Sequence, residues 1–152
     1  MIRIIFVGRT KEEWLKEQIN EYVKRIGKFS RIQIDEIKDE KILGRDYEKI
    51  KSLEGERILK LVADDYVIAL DENGKSLESK AFATSLSEAI ADNKRITFVV
   101  GGALGLSKGV LKRSDFKLSL SRMTLTNQMA RLMLVEQIYR AFTILAGMEY
   151  HK

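Results

Sequence analysis

Residue types able to do chemistry fall in four places along the chain. Gly101-Gly102-Ala103-Leu104-Gly105 directly follows an apolar run. Glycines there let a ligand approach the backbone and permit positive φ. The ordinary alternative is a tight turn. The spacing lacks the third glycine of the G-x-G-x-x-G dinucleotide fingerprint, it lies late in the chain, and no Walker lysine-serine pair follows it. Leu118-Ser-Leu-Ser-Arg-Met-Thr-Leu-Thr126 offers hydroxyls and free amides to a polar ligand, with Leu118, Leu120 and Met123 to face an adenine. The competing role for this stretch is a Ser/Thr helix cap, which suits Thr126. Glu136 and Arg140, four residues apart, stand side by side on a helix that also carries Arg131. An exposed pair of that kind contributes little stability. Finally, the sole histidine, His151, has a reference pKa of about 6.5 that suits proton transfer. Its position one residue from the C-terminus equally suits a frayed end.

Composition excludes several other chemistries. The 152 residues contain no cysteine, so disulfides and thiolate metal ligands are absent and a reducing cytoplasm is the expected location. One histidine cannot build a His-rich zinc site, and no metal is expected. No apolar run approaches the roughly 18 residues of a membrane span. Lys plus Arg exceed Asp plus Glu by 27 to 22, a net charge of +5. A basic excess favours polyanions, although many proteins with this charge bind none. Without proline, every turn relies on Gly, Asn, Asp or Ser.

The elements that must position these residues read as alternating strands and helices of one domain, residues 1–152. Apolar runs predict strands over 2–7, 31–37, 66–70, 96–100 and 116–120. Leu15, Ile19, Tyr22, Val23 and Ile26 line one face of a helix over about 11–28, ending near Gly27. A second helix over about 45–62 points Tyr47, Ile50, Leu53, Ile58 and Leu61 inward. A third, capped by Ser79, runs to about 91 with Phe82, Leu86, Ala89 and Ile90 inward. A short helix or turn covers 107–113, and a long helix covers about 126–146. Asp71-Glu-Asn-Gly74 reads as a turn. The fold class is α/β, a mostly parallel sheet with helices on both faces. Ligands bind beyond the carboxyl ends of such strands, so the loops after Leu70, Val100 and Leu120 should matter.

Taken in order, several motifs resemble the ribosomal RNA large subunit methyltransferase H family, the 23S rRNA pseudouridine-N3-methyltransferases of the SPOUT superfamily. The matching pieces are Leu70-Asp71 with Gly74 and Ser79, then Ile96-Thr-Phe-Val-Val-Gly-Gly102 with Gly105. Leu118-Ser-Leu-Ser121, Met123-Thr124, Arg131, Glu136-Gln-Ile-Tyr-Arg-Ala141 and Tyr150-His151-Lys152 complete them. The likeness spans the full length and is densest from residue 66. It implies an α/β trefoil knot in the C-terminal half and a homodimer with the active site near the subunit interface. It implies S-adenosyl-L-methionine bound by Leu70, Gly101, Leu118, Ser119, Leu120, Ser121, Arg122 and Met123. It assigns catalysis to Arg140, Tyr150 and His151, and contact with ribosomal RNA to Arg131 and Lys152. Two departures stand out. The family usually has Pro-His where this chain has Thr126-Asn127, and Asn127 cannot titrate. Arg122 is larger than the residue often found at its place.

On this resemblance, His151 is a candidate base for the N3 proton of pseudouridine, a role left open. Arg140 would stabilise charge on the base oxygens, and Tyr150 would stack or relay a proton. Two rivals remain. A non-catalytic RNA-binding or ribosome-assembly factor on the same fold would bind RNA but no cofactor, and Asn127 leaves room for it. A doubly wound oxidoreductase is opposed by the glycine spacing.

Overall fold

The computed structural model describes residues 1–152. Five strands and five helices alternate along the chain. They are β1 (Ile2–Val7), α1 (Glu13–Ile26), β2 (Ile32–Ile37), α2 (Tyr47–Leu61), β3 (Tyr66–Ser76), α3 (Ser79–Asp92), β4 (Ile96–Val100), α4 (Lys108–Arg113), β5 (Phe116–Ser119) and α5 (Asn127–Leu145). The sheet is wholly parallel in the order β2-β1-β4-β3-β5. All five strands therefore end at one edge, and that edge carries the glycine loop after β4.

The period-2 alternation of strands sorts the core into two layers. Ile2, Ile4, Phe6, Ile96, Phe98 and Val100 pack against α1, α3 and α5. Ile5, Val7, Val67, Ala69 and Val99 pack against α2 and α4. Central β4 is buried along its whole length, which is why its sequence is a continuous apolar run. Thr97, the polar member of that run, is satisfied by donating to Asp65 at 2.7 Å.

Several local expectations are corrected. Residues 71–74 are no simple turn, because β3 continues to Ser76. Leu70 and Lys75 both pair with Leu118, so the residues between them bulge out of the ladder. Gly74 makes this possible: a Cβ there would lie 2.7 Å from the Lys117 carbonyl. Ser79 does not cap α3. Glu78 holds the N-cap position, and the Ser79 hydroxyl donates to Gln137 at 2.8 Å. On α2 the buried line is Ile50, Glu54, Gly55 and Ile58, while Tyr47 and Leu61 are exposed. Gly55 sits where α2 crosses α4 so closely that a Cβ would collide with the Ser107 hydroxyl. The fifth strand stops at Ser119, one residue short of the reading.

Candidate active site

The β3 bulge and the loops after β4 and β5 line a cleft of about 720 Å³. Leu70, Leu104, Leu118 and Leu120 give it apolar walls, and Asp71, Glu72 and Asn73 from the β3 bulge give it a polar rim. The glycines shape its floor. A Cβ on Gly101 would meet the Gly105 backbone at 2.8 Å, Gly105 takes φ +82, and its N–H donates to Gly102 O at 3.1 Å. Such walls accept a flat apolar ring with a polar tail.

Of the residues expected to bind cofactor, Leu70, Leu118, Leu120, Ser121 and Met123 line the cleft. Gly101, Ser119 and Arg122 do not. Gly101 lies behind the floor. Ser119 is buried, and its hydroxyl donates to Ser121 O at 2.9 Å, so it shapes the loop. The Ser121 hydroxyl accepts from Met123 N–H at 2.9 Å, and Thr124 donates to Glu72 at 2.8 Å, joining two walls. Thr126 caps α5 by accepting from Met129 N–H. The sequence points to the segment after Leu70 but names none of Asp71, Glu72 and Asn73 as ligand contacts. Their acidic and polar composition after a strand end was the available signal. Lys51, contributed by α2, had no signal at all.

A second cluster forms at the other end of α5. Gly147 takes φ +68, and Met148 N–H donates to Thr143 O at 2.9 Å, a left-handed C-terminal cap that turns the chain back. That reversal lays Tyr150 and His151 on Arg140. Glu136 is the hub: its Oε1 accepts from Arg140 Nε at 3.1 Å, Arg140 Nη2 at 2.6 Å and the Tyr150 hydroxyl at 3.0 Å. The Tyr150 ring lies under the Arg140 guanidinium and edge-on to Tyr139. The Glu136 bond holds Arg140 more firmly charged than usual. Burial, then bonds to Tyr22 and Glu136, push the Tyr150 phenol well up, so it stays protonated at neutral pH. Lys152 is exposed at the chain end.

His151 meets Arg140 through its ring. Its Nδ1 lies 3.2 Å from Arg140 Nη1. A guanidinium can only donate, so Nδ1 accepts, and the neutral ring carries its proton on Nε2. The lone pair expected to take a proton is already engaged. The ring presents a donor.

Arg131 is corrected. It is fully buried, not free to meet RNA. It donates to Val7 O at 2.8 Å, Gly8 O at 3.0 Å, the Thr10 hydroxyl at 3.0 Å and Asn127 Oδ1 at 3.3 Å, over the Phe6 ring. Burial lowers its pKa to about 10, and it remains cationic at neutral pH. Asn127 serves as one of its acceptors.

A family model described as "Predicted SPOUT methyltransferase" matches residues 1–151. Proteins named ribosomal RNA large subunit methyltransferase H from Carboxydothermus hydrogenoformans and Listeria monocytogenes serotype 4a are 48% and 45% identical to the chain. Each match covers 99% of both sequences. Among solved structures, a probable methyltransferase from Bordetella pertussis Tohama I superposes with TM-score 0.58 at 12% identity, covering 92% of this chain and 95% of that one. A probable methylase family protein from Haemophilus influenzae Rd KW20 gives 0.57 at 14%, covering 96% and 66%. These two share the fold.

Proposed function

The chain belongs to the SPOUT methyltransferase family, and we propose that it methylates N3 of a pseudouridine in the 23S rRNA of the large ribosomal subunit, using S-adenosyl-L-methionine. The observation that carries this reading is the pairing of a nucleoside-sized cleft with a donor-rich cluster, one at each end of α5. The relatives' names supply the substrate class.

The cleft fits the cofactor. Leu70, Leu104, Leu118 and Leu120 would hold the adenine, and Asp71 and Glu72 would meet hydroxyl or ammonium groups. Gly101, behind the floor, would keep the backbone close. When bound, the cofactor supplies an electrophilic methyl group on a sulfonium. Ser119 and Arg122 would act by shaping the loop.

The cluster would serve the nucleobase. Methylation at N3 replaces an N–H by N–CH3, so a proton must leave. Tyr150 stays protonated, Glu136 Oε1 receives three N–H or O–H groups, and His151 Nδ1 receives Arg140. None of these is a free base. Of the five guanidinium N–H groups of Arg140, three are spent on Glu136 and His151, leaving two. Together with His151 Nε2–H they would stabilise negative charge on the imide oxygens while the proton passes to water. Lys152 would meet a phosphate.

From Asn127 to Arg140, α5 rises about 20 Å, whereas reacting atoms must come within about 3–3.5 Å. A homodimer whose cleft faces the partner's cluster would bring the two together. The trefoil knot expected of the family would lie in the C-terminal half. The protein would act in the cytoplasm; no helix is long and apolar enough to cross a membrane. Asn127, which left room for a non-catalytic factor, has a structural task in holding Arg131. The deciding experiment is methyl transfer from labelled cofactor to ribosomes lacking the modification, read by nucleoside mass spectrometry. Methylated pseudouridine is expected, and no transfer would overturn the reading.

A further inference from the structure

The short connection from β1 to α1, Gly8 to Lys11, is fixed far more firmly than a surface loop requires. Gly8 takes φ +83 and its N–H donates to Ile37 O at 2.7 Å. Arg131 holds Gly8 O and the Thr10 hydroxyl from below. Thr10 N–H donates to Glu36 at 3.0 Å. Gln128, at the start of α5, closes the clasp: its Oε1 accepts from Lys11 N–H at 3.0 Å, and its Nε2 donates to Arg9 O at 3.1 Å. The same Nε2 donates to Asn127, a residue of the cleft wall.

Apart from the Thr10 hydroxyl, everything this clasp fixes is backbone. The two side chains it leaves pointing outward are Arg9 and Lys11, both exposed and neither in an ion pair. The loop sits at the strand-end edge, beside the cleft. Their Cα atoms are at most about 7 Å apart.

We infer that Arg9 and Lys11 form a preorganised clamp for two phosphates of the RNA substrate, set by Gln128 and Arg131 against the cofactor cleft. The inference rests on the reading of RNA as substrate. Two free cations on a fixed backbone bind phosphates at a smaller entropic cost than two on a mobile loop. Their contribution is sequence-independent and sensitive to salt.

The test compares the wild type with the double variant Arg9→Gln, Lys11→Gln, using ribosomes lacking the modification and a 23S rRNA fragment in a binding titration over salt. The KM for ribosomes is expected to rise about tenfold, and the slope of log affinity against log salt to fall by about 1.4–2. Cofactor affinity, kcat and melting temperature should stay unchanged. The charge-preserving Arg9→Lys, Lys11→Arg variant should keep the wild-type slope, and Gln128→Ala should weaken binding severalfold at an unchanged slope. An unaltered KM and slope in the Gln variant, with an active wild type, overturns the clamp alone. A wild type that neither binds rRNA nor methylates it overturns the clamp together with the proposed function.

Discussion

If the cleft and the cluster must come from different chains, two inactive variants should rescue each other. Leu120→Arg places a bulky cation in the apolar wall of the cleft. Arg140→Ala removes the guanidinium that bridges Glu136 and His151. Each homodimer should be inactive, the first for lack of cofactor binding and the second for lack of charge stabilisation. In a two-fold dimer each site would take its cleft from one copy and its cluster from the other. Random exchange makes about half of all dimers mixed, each with one intact site of two, so the mixture should recover about a quarter of wild-type activity. The expectation rests on the roughly 20 Å rise along α5 between the cleft and Arg140. The assay is labelled methyl transfer after denaturing and refolding the two variants together, with each refolded alone as control. Circular dichroism should show both folded, and calorimetry should show cofactor binding kept by Arg140→Ala. No recovery despite mixed dimers in native mass spectrometry would refute the composite site. A single-chain site would give the same null result, with Arg140→Ala alone losing activity.

Three further outcomes follow from individual residues. Arg131→Met would leave the Val7 and Gly8 carbonyls without their partner, costing roughly 2–6 kcal/mol. Removing a cation whose pKa is lowered by burial to about 10 offsets part of that cost; with the lost Phe6 contact, urea unfolding should show a net loss of about 2 kcal/mol, and stability at or above wild type would refute the structural role. Glu54 is buried with its pKa raised by desolvation, so the folded state holds its proton to higher pH than the unfolded chain. Its stabilising effect is therefore present below the ordinary carboxylate pKa and lost as pH rises through the folded value; Glu54→Gln, which keeps an acceptor for Glu40 N–H, should flatten that dependence in chemical unfolding between acid and neutral pH. His151→Gln retains a donor, so it should keep kcat within about tenfold, whereas loss of a general base costs roughly 10²–10⁴; a loss of that size in steady-state assays would restore His151 as the base.

Most of the fold was legible because its signals are local. The apolar run of β4 and the three-and-four spacing on α1 need only burial to be read. So was the location of the cleft, since parallel strands gather their following loops at one edge. What the sequence hid depends on close approach between distant segments. Gly74 permits the β3 bulge only because Lys117 lies opposite, and Gly55 is small only because Ser107 crosses it. The hydroxyls of the β5–α5 loop looked like ligand donors, yet Ser119 and Thr124 are taken by Ser121 and Glu72. Arg131 looked like a surface cation because nothing in its neighbours says that four acceptors wait beneath it. The tail cluster was readable only through resemblance, because it depends on Gly147 reversing the chain.

One helix ties these features together. The N-terminal end of α5 forms a cleft wall through Asn127 and Ala130. The same first turns carry Gln128 and Arg131, which fix the β1–α1 loop. Its second half carries Glu136 and Arg140, the framework of the cluster. A helix is stiff over this length, so the cleft, the loop and the cluster hold fixed separations whatever the loops do. A rigid spacer of this kind would let a dimer align cofactor and nucleobase by one docking step, because placing one half-site places the other. It also explains why a fully buried cation is retained despite its desolvation cost: an apolar residue at Arg131 would seat α5 in the core but could not fasten the carbonyl ends of β1 to it.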